Sequence, residues 1–333
     1  MSELRKDPLV PRWVVMAPER AQRPVEVKDV PRLSAPQFDP FGEGNERETT
    51  LEVLAYRSPG SQCDGPGWRV RVVPNKFPAL HATVDSAPSG NQLYQSLPAF
   101  GIHEVIIECP QDEANLSRLS QDNIREVLTA YRERFRALKR DSRLAHAIIF
   151  KNQGALAGAS VHHSHSQLIA TPYVPTAILE ELAGTADYFQ RHGRCVFDDI
   201  ILQEQGDRSR VVTETEHFIL FCPYASRFAY ETCLLPKNPS SHFENIQDSD
   251  LGELAALLKL NLQRLEECLG NPPLNYVLHS APFQTPEASY YRWHFEVFPR
   301  LTRIAGYEWG SGCYINEVLP EAAAAKLRQS SGN

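Results

Sequence analysis

Three histidines stand within four positions in the stretch SVHHSHSQLIA, Ser160 to Ala170, and a glutamine follows two residues after the last. In an extended chain, side chains two apart share a face. His163, His165 and Gln167 then form one polar row, with His162, Ser164 and Ser166 on the opposite face. Just upstream, KNQGALAGAS holds Gly154 and Gly158 in a turn of small residues, where backbone N–H groups can approach an anion. A phosphate cradle beside a histidine suits attack on phosphorus, because neutral imidazole is a competent nucleophile near neutral pH. Zinc binding is the rival use of the row: two histidines at i and i+2 supply part of a closed site, which needs about four ligands. The residues alone leave both uses open.

Strands are predicted in WRVRVVPNKFPAL (68–80), HEVIIECP (103–110), LAHAIIFKNQG (144–154) and the histidine segment. Before the third of these, Ile124, Val127, Leu128, Tyr131, Phe135 and Leu138 recur at helical spacing behind Ser120, a candidate N-cap. The order strand, helix, strand, turn, strand then recurs. ETCLLPK precedes a helix from about Ser249, with Leu251, Leu254, Leu258, Leu262, Leu265 and Leu269 on one face and Gly270 as its stop. LNYVLHSAPF and RWHFEVFP follow, and on that register His163-x-His165-x-Gln167 aligns with Arg292-x-His294-x-Glu296. This predicts a duplicated unit of which one copy kept an active row and the other diverged. Residues 1–60, rich in proline and charge, are predicted to wrap the surface.

With 333 residues, 42% apolar and 23% charged, the chain has the composition of a soluble globular protein of one large domain or two. A net charge of -7 argues against nucleic acid as a partner, and the basic run Arg132 to Arg140 reads as a solvated helix face. Seven cysteines form no CxxC pair, which points to free thiols in a reducing compartment and against a cysteine-built zinc site. The apolar runs are strand-sized and the start, MSELRKDPLVPRW, is unlike a signal peptide, so a cytoplasmic protein without a membrane partner is expected.

Six segments carry a resemblance over nearly the whole chain: APERAQRP (17–24), WRVRVVPNKFPAL, HEVIIE (103–108), IFKNQGALAGASVHHSHSQ (149–167), LHSAPF (278–283) and AGYEWGSGCYIN (305–316). Together they resemble the galactose-1-phosphate uridylyltransferases, the transferase branch of the histidine-triad superfamily, and the related ADP-glucose phosphorylases. The resemblance implies an α+β fold of duplicated histidine-triad-like units, with helices packed on a mainly antiparallel sheet. Residues 1–180 would carry the nucleophile and 181–333 the diverged unit. It implies that His165 attacks the α-phosphorus of a UDP-sugar and holds UMP, that Gln167 hydrogen-bonds the bound phosphoryl group, and that His163 orients the row. Asn152 and Ser160 match phosphate contacts, with Gly158 in the turn between them. Arg20 and Arg23 match a basic pair near the diphosphate, and Asn75 with Phe77 match the nucleotide pocket. Tyr307 and Glu308 would contact hexose hydroxyls from a segment that, in the family's homodimer, completes the partner subunit's site. The implied reaction is ping-pong: UDP-glucose releases glucose 1-phosphate, and galactose 1-phosphate takes the UMP, with no cofactor needed for the chemistry. An adenylyl-transferring phosphorylase would use His165 identically. A nucleotide-sugar binding protein without catalysis is the reading of another class.

Departures concentrate at the family's metal sites. Where the first takes a CxxC pair, this chain has Asp39 and Gly42; a later histidine aligns with Asp112, and only His163 remains. At the other site the phosphorylase-like branch has a CxxC that aligns with Cys195 and Asp198, and a late histidine that aligns with Arg292. In the uridylyltransferase branch a glutamate and three histidines align with Glu181, His279, His294 and Glu296, which still compose a four-ligand N/O set. The lost ligands argue against structural zinc. In its place Asp198 and Arg292 are expected to form a charge-assisted hydrogen bond, a guanidinium being able to hold a carboxylate with two parallel bonds, and Asp39 and Asp112 to find a cation in His163 or an arginine.

Overall fold

Strand-sized apolar runs build one ten-stranded sheet in which every neighbouring pair is antiparallel. The computed structural model describes residues 2–22, 38–83, 89–91 and 93–331. In chain order the strands are β1 (Leu54–Arg57), β2 (Trp68–Pro74), β3 (Ile102–Ile107), β4 (His146–Gln153) and β5 (His165–Thr171), then β6 (Val211–Glu214), β7 (Phe218–Phe221), β8 (Thr232–Pro236), β9 (Leu274–His279) and β10 (His294–Pro299). Across the sheet they lie in the order β1-β2-β3-β5-β4-β9-β10-β8-β7-β6. Outward from the centre, one half reads 4-5-3-2-1 and the other 9-10-8-7-6, the same order advanced by five. The duplicated α+β architecture is therefore present. Its register is exact enough to equate residues: Gln167 faces Phe150 as Glu296 faces Val277, which makes His165 and His294 the equivalent first residues of β5 and β10.

Four main helices pack on the sheet, α1 (Gln121–Leu138), α2 (Thr176–His192), α3 (Val196–Asp207) and α4 (Asp248–Leu269), and of these α1 and α4 follow the predicted periodicity. Ser120 caps α1, its hydroxyl accepting from the Asn123 N–H at 3.1 Å, and Gly270 at φ +74° ends α4. The apolar stripes of α1 and α4 cover one face of the sheet and form the main core with Ile106, Ile149, Leu168, Leu278 and Phe295. On the other face, α3 covers the second half through Val196, Phe197 and Ile201 against Ile219, Phe221, Cys233 and Leu235. Among the described residues the first half has a small cluster there, Trp68, Val73, Val105 and Ile107 under Phe41. That uncovered area is where the histidine row emerges.

The N-terminal segment does more than wrap the surface. Glu3–Lys6 and Trp13–Met16 form a three-stranded sheet with Tyr314–Asn316, tying the two ends of the chain together. The basic run on α1 is also not simply solvated. Arg132 is buried against the Ile246 carbonyl and Asp248, and Arg134 holds Glu104 through two bonds of 2.8 and 2.6 Å. Position 180/181 falls within α2, between the two five-stranded halves. Among the described residues, no helix is long and apolar enough to cross a membrane.

Candidate active site

The strand begins at His165 rather than at Ser160. Ser164 keeps one ladder bond, accepting at its carbonyl from the Glu108 N–H, but donates its own N–H to the Glu113 carbonyl, so the chain turns from the ladder there. Alternation survives the bend: Ser164 and Ser166 point to the helix-covered face, and His163, His165 and Gln167 to the other. His165 is 5% exposed, and its Nδ1 lies 2.8 Å from the His163 carbonyl. A carbonyl only accepts, so Nδ1 carries the proton and Nε2 keeps its lone pair. Burial first, and then the charge of Lys151, lower the His165 pKa to about 4. The imidazole is thus neutral and nucleophilic at physiological pH. Phe41 packs edge-on against it at 5.2 Å between centroids.

Gln167 is oriented by a residue from β3. Its Oε1 accepts from His103 Nε2 at 2.9 Å, while His103 Nδ1 accepts from the Ala79 N–H at 3.1 Å. The amide NH2 of Gln167 is left as the free, donating end. Asn75, Phe77 and Ser160 join His165 and Gln167 around a cavity of about 260 Å³. Phe77 is 84% exposed, which suits a ring that closes on a planar ligand better than one in a core. A second cavity of about 450 Å³ opens on the other flank of His165, lined by Asn152, Gln153, His163 and Arg300. Asn275 on β9 fixes Asn152 by donating to its Oδ1 at 2.8 Å, and donates to the Ala157 carbonyl at 2.9 Å.

The glycine turn is built differently from the expected anion cradle. Gly154 and Gly158 take φ of +84° and +88°, and a Cβ at Gly154 would come within 3.0 Å of Pro273. The N–H groups of Ala157, Gly158 and Ala159, however, donate to the carbonyls of Gly154 and Ala155 within the turn. Those amides are spent, and Gly158 lines neither cavity. Side chains such as Asn152, Ser160 and Gln167 offer polar contacts to a phosphate beside these cavities. Arg20 pairs with Glu317 at 3.8 Å, Tyr307 is half-exposed, and Glu308 accepts from the Ala305 N–H at the start of the short helix Gly306–Ser311. None of these three lines a cavity beside His165. Arg23 lies outside the described residues. Sequence reasoning assigned no role to Phe41, His103, Asn275, Glu108 or Lys151. For the last two, charge inside an apolar strand run was the available signal.

The residues at the family's metal positions remain clustered. Asp39, Asp112 and His163 bring ligand atoms within 4.8 Å of one another. His163 is already held, with Nδ1 at 2.6 Å from Asp39 and Nε2 at 2.7 Å from the Cys109 carbonyl, whereas Asp112 meets His162 at 3.1 Å. On the second half, Glu181, His279 and His294 form an N2O set of the kind that suits zinc or iron. Glu296 is drawn from it by Arg227 at 2.6 Å. Burial would lower the His279 pKa, but Glu181 and Glu296 raise it to about 10. At the other aligned position Arg292 Nη2 donates to Asp198 Oδ1 at 2.5 Å. The pairing has one bond rather than two parallel ones, because Nη1 is engaged by the carbonyls of Pro236 and Lys237 at 3.2 and 3.1 Å.

Residues 1–175 match the family described as galactose-1-phosphate uridyl transferase, N-terminal domain, and residues 181–331 match its C-terminal domain. The chain belongs to the galactose-1-phosphate uridylyltransferase family. An ADP-glucose phosphorylase of Arabidopsis thaliana is 37% identical, over 99% of this chain and 93% of its own. A galactose-1-phosphate uridylyltransferase of Haemophilus influenzae is 30% identical, over 98% of this chain and 94% of its own. The crystal structure of an ADP-glucose phosphorylase from Arabidopsis thaliana with bound ADP-glucose aligns with a TM-score of 0.86 and 35% identity, covering 99% of this chain and 100% of that one. A uridylyltransferase structure aligns with a TM-score of 0.78 and 28% identity, covering 99% and 98%. The protein is a nucleotidyltransferase of this family.

Proposed function

We propose that the protein moves AMP from ADP-glucose to phosphate through a covalent adduct on His165. The observation that carries the nucleophile is the tether of His165 Nδ1 to the His163 carbonyl, which leaves Nε2 unprotonated between two cavities. In the first step the bond from Nε2 to the α-phosphorus forms as the bond from that phosphorus to the bridging oxygen breaks. Glucose 1-phosphate leaves with the bridging oxygen. In the second step a phosphate oxygen attacks the same phosphorus, the N–P bond breaks, and ADP leaves. The free NH2 of Gln167 donates to the bound phosphoryl group throughout, and Asn75 and Phe77 receive the nucleoside. Such transfers depend on in-line positioning and charge neutralisation, and none of these steps is routed through a metal.

The adenine donor is supported by the 37% identity to, and the TM-score of 0.86 with, Arabidopsis proteins described as ADP-glucose phosphorylases. Uridylyl transfer from UDP-glucose to galactose 1-phosphate is the second reading, supported by the family's description and the Haemophilus relative. In either case the working unit is read as a cytoplasmic homodimer in which Tyr307 and Glu308 serve the partner's sugar site. Intact-protein mass spectrometry after mixing with ADP-glucose or UDP-glucose tests the proposal. A gain of one AMP on His165, discharged to ADP by phosphate and absent in His165→Gly, is the expected result. Labelling by UDP-glucose alone would replace the donor; an adduct on another residue, or none from either donor, would overturn the mechanism.

A further inference from the structure

Behind the nucleophile strand, on the face opposite the His165 ring, lies a charged pair with almost no exposure. Lys151 on β4 is 1% exposed and Glu108, just after β3, is fully buried. The Lys151 ammonium donates to Glu108 Oε2 at 2.5 Å, to Ser164 Oγ at 2.9 Å and to the main-chain carbonyl of His165 at 3.0 Å. Ser164 Oγ in turn donates to Glu108 Oε2 at 2.6 Å, and the hydroxyls of Tyr131 and Tyr276 reach Glu108 Oε1 at 3.3 and 3.4 Å. Burial would raise the Glu108 carboxyl pKa, and Lys151 outweighs it and holds the group ionised.

A buried ion pair is a weak source of stability, since desolvation consumes most of the attraction and an apolar packing of equal volume does as well. The duplicated fold supplies its own control. By the strand registers, Lys151, Ser164, Ser166 and Glu108 correspond to Leu278, Trp293, Phe295 and Pro236 in the second half. All four of those are apolar and buried. The same architecture thus stands on apolar residues in the half that lost the nucleophile. The polar cluster belongs to the half that kept it.

We propose that Lys151, held by Glu108, is a positioning residue for nucleotidyl transfer: its ammonium pins Ser164 and the His165 carbonyl so that Nε2 is aimed along the line of attack. On the β3 side Ser164 keeps one ladder bond, from the Glu108 N–H, while its own N–H turns to the Glu113 carbonyl. Lys151 adds an anchor on the β4 side, where the strand register ends at Gln167. A displacement of about 1 Å at a nucleophile costs on the order of 100-fold in rate, which is the scale of what the anchor protects.

This inference rests on His165 being the nucleophile, and the test separates the two. Adduct formation is followed by rapid quench, with whichever of ADP-glucose and UDP-glucose labels the wild type. The Glu108→Gln/Lys151→Met double variant leaves no buried charge and keeps the volume, so it is expected to fold with a wild-type unfolding midpoint and unchanged nucleotide-sugar affinity. Its adduct should form ~10- to 100-fold more slowly, and Glu108→Gln/Lys151→Gln, which restores a donor, should recover part of the loss. If the double variant does not fold, the pair is structural and the proposal is overturned. A rate within twofold of wild type in the folded double variant, or a loss confined to substrate affinity, also overturns it. No adduct in the wild type removes the nucleophile reading, and this one with it.

Discussion

The pair that stands at an aligned metal position, Arg292 and Asp198, should be unequal in what its two members contribute. Arg292 has a side chain 1% exposed and Asp198 one 45% exposed. Breaking a buried pair from one side costs about 3–5 kcal/mol, and breaking an exposed one under about 1 kcal/mol. Asp198→Ala removes one charge-assisted bond, but water reaches the vacated position and Arg292 keeps its bonds to Pro236 and Lys237. A loss of ~1–2 kcal/mol follows. Arg292→Met removes all three bonds and leaves the buried carbonyls of Pro236 and Lys237 without that donor, each an unpaid desolvation of about 1–3 kcal/mol. A loss of ~3–4 kcal/mol follows, about twice the other. Urea unfolding midpoints at matched m-values measure both, and Asp198→Asn, which keeps an acceptor, should fall between wild type and Asp198→Ala. A guanidinium at this position also repels a dication, so a variant that removes the separate Glu181, His279 and His294 set should hold well under one zinc per chain by elemental analysis. Equal costs for the two substitutions, an Asp198→Ala more damaging than Arg292→Met, or stoichiometric zinc in the variant without that set would refute the reasoning.

Gln167→His should raise the ratio of free nucleoside monophosphate to transferred product, because imidazole can titrate where an amide only hydrogen-bonds; an unchanged ratio contradicts the role of the Gln167 NH2. Mixing His165→Gly with Glu308→Ala should restore activity through hybrid dimers, and failure with subunit exchange confirmed would place Glu308 outside the partner's site. His146 is buried against the Ser280 carbonyl, and its pKa is lowered by burial from 6.5 to about 4. The unfolded chain therefore takes up a proton below pH 6.5 that the folded one refuses until about 4, so stability falls by up to ~3 kcal/mol as pH drops through that window. The difference in unfolding free energy between wild type and His146→Gln, followed from pH 7 to pH 4, should carry that slope, and a flat difference would show that His146 protonates freely in the fold.

Local features were legible where one segment sets its own structure. Ser120 and Gly270 bound their helices as a hydroxyl cap and a left-handed stop must, and the repeated order of elements implied the mirrored sheet. The chemical row was legible because period-two alternation does not depend on what packs nearby. What pairs with each member was not. His103 reaches Gln167 from β3, and Asn275 reaches Asn152 from the other half, and only strand register makes such partners neighbours. The burial of Arg132 and the pairing of Arg134 were hidden for a related reason: a helix-face pattern of arginines looks solvated until its partners, Asp248 and Glu104, are placed in space.

The two halves also show what makes a strand histidine a nucleophile. His294 repeats the tether of His165, with Nδ1 at 3.0 Å from the Arg292 carbonyl against 2.8 Å to the His163 carbonyl. The tautomer is thus a property of the strand start, shared by both copies. Their second nitrogens differ. His294 Nε2 lies 3.2 Å from Glu181 of α2, and the rings of Phe197 and Tyr291 pack over it at 5.6 and 6.4 Å. Glu296, at the position of Gln167, is tied to Arg227 and so cannot offer a donor to a phosphoryl group. Among the described residues Phe41 packs against the His165 ring, and cavities open on both its flanks. His294 also borders a cavity, of about 510 Å³, so reactivity follows from what engages the second ring nitrogen and from the third residue of the row rather than from open space beside the strand.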